Sequence, residues 1–116
     1  MLAAALPMTA QAMTVAEFLG KVDALKAKGF LAVGSPDIAA LRTEVTGASN
    51  AYRAGLEAQI AAGRKPSSCP PPKGTAKVTS DELIAEFRTI PEVARPKTSV
   101  NAAFVAFMTR RYPCKA

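Results

Sequence analysis

The stretch from Arg64 to Lys77 carries Pro66, Pro70, Pro71 and Pro72 together with Gly74. Proline lacks the amide hydrogen that a helix needs, and its ring clashes with the carbonyl one turn back, so no helix crosses this segment. It reads as an extended linker, and any core must be assembled from material on both sides of it.

Upstream of the linker two helices are predicted. Thr14 followed by Glu17 makes a capping box, and Met13 with Phe18 stands at the staple positions. Val15, Phe18, Leu19, Val22 and Leu25 then recur at helical spacing. Glu17 and Lys21 are placed for an i,i+4 pair on the outer side. Gly29 ends this helix, predicted over about 14–29, with Lys26 and Lys28 in the last turn, where cations suit the dipole. A short apolar link, Phe30-Leu31-Ala32-Val33-Gly34, leads to Ser35 as N-cap and Pro36 at the first position of a second helix, predicted over about 36–62. Ile38, Leu41, Val45, Ala48, Tyr52, Leu56 and Ile60 form its stripe, and Gly63 ends it. Gly47 and Gly55 inside it each cost about 1 kcal/mol relative to Ala, and read as a kink or as places where another helix packs closely.

Downstream, Thr79 with Glu82 is a second capping box and Val78 with Leu83 its staple. This third helix is predicted over about 79–90, with Leu83, Ile84, Phe87 and Ile90 on its apolar face and Pro91 as its stop. A fourth, over about 99–111, carries Val100, Ala103, Phe104, Phe107 and Met108 inward, as core. No strand is predicted. The expected fold is all-α: residues 13–116 as a single domain, a small bundle of four helices with a Pro-rich linker and one disulfide.

Composition narrows the chemistry. There is no His, which excludes Ser-His-Asp and Cys-His catalysis and any His-ligated zinc or haem. Two Cys cannot complete a four-Cys metal site, and the seven Gly form neither a dinucleotide fingerprint nor a Walker loop. No cofactor and no metal are expected. Asp81, Glu82 and Glu86 sit where caps and a solvated face place them, as do Asp37 and Glu44. Ser67 and Ser68 have only Lys65 or Lys73 as conceivable activating partners. The chain reads as a non-enzyme.

The net charge is +6. Arg64, Lys65, Lys73 and Lys77 cluster at the linker, and Arg110, Arg111 and Lys115 at the carboxyl end. Brought together, Arg64, Lys65, Lys73, Arg110 and Arg111 would make a basic region that attracts an acidic protein partner. Aromatic residues do not alternate with the basic ones, so nucleic acid is not expected as a partner.

Met1 to Ala12 is uncharged and apolar and ends in Ala10-Gln11-Ala12, the small-x-small pattern of a signal-peptidase site. It reads as the back half of a secretory signal whose true start lies upstream. No later stretch approaches the roughly 20 apolar residues that span a bilayer. Cys69 and Cys114 lie 45 positions apart, too far for a Cys-x-x-Cys motif, and an exported chain with an even Cys count pairs them.

The carboxyl half carries a set of elements in a familiar order: Cys69-Pro70-Pro71, Val78-Thr79 followed by Leu83, Pro91-Glu92, Ala102-Ala103 with Phe104, and Tyr112-Pro113-Cys114. Over roughly residues 67–114 this resembles the Rap/Tai family of type VI secretion immunity proteins, small exported helical proteins of Gram-negative bacteria. Tyr52, Gly55 and Ala58 match a Tyr-x-x-Gly-x-x-Ala run of the family's long helix. The chain departs from the family at Ser49, where members carry one cysteine of a second pair, and in its extra linker Pro and Lys. The resemblance implies a periplasmic protein that binds a toxin, typically a cell-wall amidase, and blocks it without turnover or cofactor. It also makes Cys69 and Cys114 each other's partners. Two alternatives share the helical, disulfide-held form: an envelope protein of unassigned function, and a periplasmic chaperone resembling the acid-stress HdeA proteins. The second is disfavoured by the lack of His and by only 9 carboxylates, which leave little for an acid switch to act on.

Overall fold

The structure is a computed structural model and describes residues 13–115. The proposed signal remnant, residues 1–12, lies outside the described residues. Four α-helices follow one another: α1 (Val15–Lys28), α2 (Pro36–Ala61), α3 (Ser80–Arg88) and α4 (Val100–Arg111). Short 3₁₀ turns at Gly29–Ala32 and Arg95–Lys97 join α1 to α2 and α3 to α4. The all-α expectation holds, and each predicted helix is present within about two residues of its expected limits.

The caps explain those limits. In both capping boxes the Thr hydroxyl accepts from the Glu amide one turn on, at 3.1 Å for Thr14–Glu17 and 3.1 Å for Thr79–Glu82, while the Glu carboxylate accepts from the Thr backbone. Gly63, at φ +76°, closes α2 as a Schellman turn: the Gly63 amide donates to Ile60 and the Arg64 amide to Gln59. At the end of α3, Arg95 does what a cap residue would do. Its Nε donates to the Ile90 carbonyl and its Nη2 to that of Arg88, both at 2.8 Å, satisfying carbonyls left without an intrahelical partner.

One core joins the four helices. Val15, Phe18, Leu19 and Val22 of α1 meet Leu83 and Phe87 of α3 and the inner stripe of α4, with Ala48, Tyr52 and Leu56 closing it from α2. Two edge-to-face aromatic pairs tie these layers: Phe18 with Phe87, ring centroids 5.3 Å apart, and Tyr52 with Phe104, at 5.9 Å. The α2 stripe is buried only over its middle. Ile38, Leu41 and Val45 are half-buried and Ile60 is exposed, because α4 covers the helix from Ala48 to Leu56 and not beyond.

Three features differ from expectation. A single antiparallel bridge pairs Thr14 with Ser99: the Val15 amide donates to the Thr98 carbonyl at 2.8 Å, and the Val100 amide to Met13 at 2.9 Å. It aligns the starts of α1 and α4, and no alternating pattern marks so short a contact. Lys21 does not turn to Glu17, which the capping box holds; its Nζ lies 3.3 Å from Asp37 Oδ1 on α2. Gly47 and Gly55 are not sites of close helix approach, since a Cβ built at either meets nothing within 4 Å. They lie on the exposed side of one continuous helix. Gly47→Ala and Gly55→Ala are therefore each expected to stabilise the fold by about 0.5–1 kcal/mol, read as a higher urea midpoint at unchanged m-value.

Candidate interaction surface

Cys69 and Cys114 are joined, with their Cα atoms 4.9 Å apart. The bond fastens the linker to the residues after α4. Hydrogen bonds fix the same junction: the Cys69 amide donates to the Tyr112 carbonyl at 2.8 Å. Ser68 beside it is 1% exposed. Its Oγ lies 3.0 Å from the Tyr112 carbonyl, 3.3 Å from that of Met108 and 2.7 Å from the Tyr52 hydroxyl. Carbonyls only accept, so the single Ser68 proton points to them and the Tyr52 hydroxyl donates to Ser68. The serine is thereby a connector between α2 and the carboxyl end. Ser67 is held by Gln59 through its amide, at 2.7 Å, and its hydroxyl, at 3.2 Å. Neither serine hydroxyl meets Lys65 or Lys73 among the described residues.

The sequence-proposed basic residues are brought to one end only in part. Arg64 and Lys65 follow the Schellman turn and are exposed, and the Pro66 carbonyl lies 3.4 Å from Cys114 Sγ, which places them beside the chain's carboxyl end. Arg110 and Arg111 are engaged elsewhere. Arg110 pairs with Glu86 and Arg111 with Glu82, both on α3, and Arg111 Nη2 also donates to the Lys77 carbonyl at 2.9 Å. These two arginines bridge α4 to α3 at the surface as well as lending charge to it. Lys73 stands across the linker, with its Nζ 3.5 Å from Asn50 Oδ1.

The ion pairs set the acid response. The Arg111 guanidinium, with help from the Thr79 backbone, holds the Glu82 carboxyl below its usual range, and Arg88 at 2.7 Å does the same for Asp23. Both carboxyls release their protons more readily folded than unfolded. Their stabilising contribution is therefore complete above the ordinary carboxylate range of about 4, and is lost as the pH falls through the lowered folded values. Urea midpoints measured from pH 7 downward are expected to hold to about pH 5 and then fall. The Asp23→Asn, Glu82→Gln double variant is expected to fall less steeply. All four groups are solvent-exposed, so the effect is small and screened by salt.

Sequence reasoning passed over a cluster of exposed apolar residues. Phe30, Leu31 and Val33 are 87%, 77% and 82% exposed on the 3₁₀ turn between α1 and α2. The turn is held by its own backbone: the Val33 amide donates to Phe30 at 3.2 Å and the Ser35 amide to Ala32 at 2.8 Å. Gly29, at φ +58°, and Gly34, at φ +86°, bracket it in conformations that favour glycine. The available signal was four consecutive apolar residues between two helix caps, too few to complete an amphipathic face. Lys26 and Lys28, exposed at the end of α1, flank this knob. Among the described residues no group of three or more His, Cys, Asp or Glu is placed to hold a metal, and no helix is long and apolar enough to cross a membrane. No protein-family model matches the chain, and neither the curated proteins nor the solved structures yield a match.

Proposed function

We propose that this chain is an exported interaction protein of the immunity type, acting in the periplasm by binding a secreted toxin such as a cell-wall amidase and inhibiting it stoichiometrically. The observation that carries the reading is the knob at Phe30, Leu31 and Val33. Three large apolar side chains held out on a short, bonded turn are what a protein partner's pocket takes as anchors, and they cost little entropy to present because the backbone is already in place. Lys26 and Lys28 beside them, with Arg64 and Lys65 at the other end, favour an acidic partner surface. The disulfide supports export, since such bonds persist in oxidising compartments. The resemblance of residues 67–114 to the Rap/Tai proteins supplies the toxin class.

The test is inhibition of peptidoglycan hydrolysis by effector amidases encoded beside this gene. One of them is expected to lose activity at one equivalent of the purified chain. The Phe30→Asp, Leu31→Asp variant, whose side chains touch no core, is expected to leave it active while melting at the same temperature. If no neighbouring effector is bound or inhibited at a tenfold excess, the immunity reading falls. Acid-induced opening that suppresses aggregation of other proteins would replace it with the chaperone reading.

A further inference from the structure

Between α1, α2, α3 and the linker lies a groove of about 520 Å³, within the size range of small-molecule sites. Its apolar lining includes Leu25, Ile38, Leu41, Val45, Val78 and Ile84, above a floor of buried core side chains from α1, α3 and α4. All six are half-buried, so the groove lies where the apolar stripe of α2 is only partly covered by the other described residues. One edge is polar. Arg42, Thr46, Ser49 and Arg53 follow one another on α2 at steps of four, three and four, a single helical stripe bordering the trough. Lys73 faces that edge from the linker. Among the described residues the groove is lined by three cations and by no Asp or Glu.

The cations are not evenly spread. Arg53 donates to the Pro71 carbonyl at 2.8 Å, which draws the linker, and with it Lys73, to the same end of the groove. Ser49 lies one turn from Arg53 on α2. The opposite end is floored by Leu25 and Ile38, with the exposed Arg42 on its rim, and lies toward the turn that carries the exposed knob. From Ile38 to Arg53 the helix runs about 22 Å. The trough is thus long, with two of its three cations gathered at the Arg53 end and the third, Arg42, on its rim one turn from Ile38.

We propose that this groove binds a long-chain fatty acid, its carboxylate at Ser49, Arg53 and Lys73 and its chain along Val45, Leu41 and Ile38 toward Leu25. A carboxylate fits the charged end better than a phosphate does. Arg53 already gives one Nη to Pro71 and Lys73 turns one ammonium proton toward Asn50, so the donors that remain there, with the Ser49 hydroxyl, suit a monoanion.

The experiment is displacement of a fluorescent fatty acid, 11-(dansylamino)undecanoic acid, from the full chain by saturated carboxylates of 10 to 16 carbons. Saturable binding at one site per chain is expected. Affinity should rise by about fourfold per added methylene until the groove is filled. The methyl ester of the best ligand is expected to bind about tenfold more weakly, and Lys73→Glu to weaken the free acid by about tenfold. Thr46→Trp places an indole across the trough from an exposed position and is expected to abolish displaceable binding at unchanged melting temperature. Lys73 is also exposed, so neither variant is threatened by misfolding. Absence of saturable binding overturns the proposal, as does binding that both variants leave intact. Tighter binding of the alkyl phosphate of equal chain length overturns the choice of head group. A dimer of the free chain that Thr46→Trp converts to monomer would make a second copy the occupant and overturn it too.

Discussion

Replacing both cysteines by serine is expected to lower the free energy of unfolding by about 4 kcal/mol and the melting temperature by about 20 °C. The bond closes a loop of 45 positions, so its removal restores to the unfolded chain the freedom that the loop denied it. The folded side loses as well. Ser68 and the Cys69 amide rest against the Tyr112 carbonyl, and the disulfide is the covalent part of that junction. Without it the residues after α4 can fray, exposing the Tyr52–Ser68 pair to water. Urea unfolding of oxidised wild type against the double Ser variant measures the difference, and a loss under about 1 kcal/mol would refute the account. The two sulfurs of native material are expected to resist alkylation until a reductant is added. Labelling without reductant would remove the main support for export.

Phe87→Ala is expected to destabilise by about 3–5 kcal/mol. The ring is completely buried and stands edge-on to Phe18 across the α1–α3 contact. The size of the effect follows from the length of α3. Nine residues are too few for a helix to persist alone, so α3 exists by virtue of what it buries. Only Leu83 and Phe87 are fully inside, with Ile84 and Ile90 half-covered. The exposed pairs from Arg110 and Arg111 add little to replace them. Ile84→Ala, at a half-buried position on the same helix, is expected to cost less than half as much. Near-equal losses would mean that Phe87 is not the anchor. Against the 5–15 kcal/mol of a typical domain, the Phe87 loss brings the protein close to unfolding at physiological temperature.

Two of the basic residues picked out along the chain illustrate why a charge tally does not locate a binding face. Arg110 and Arg111 end α4, where cations favour the dipole, and nothing in their own neighbourhood foretells Glu86 and Glu82 alongside. Those carboxylates are 24 and 29 positions earlier and meet the arginines only because α3 and α4 pack side by side. The knob failed to register for the opposite reason. Phe30, Leu31 and Val33 are apolar, and an apolar link between helices is ordinarily expected to be covered; only the packed bundle reveals that none of the described helices reaches them.

Helix identity, limits and inner faces were readable along the chain because their causes are local. A capping box acts over three residues, a Schellman turn over five, a proline over one turn, and an amphipathic stripe repeats every three or four. The partners of each face came from the tertiary structure alone: the Thr14–Ser99 bridge, the buried Ser68, the paired arginines, the bare knob and the uncovered trough on α2. Each depends on segments far apart in the chain coming to lie together, and a helical period records that a face is apolar without recording what, if anything, will lie against it.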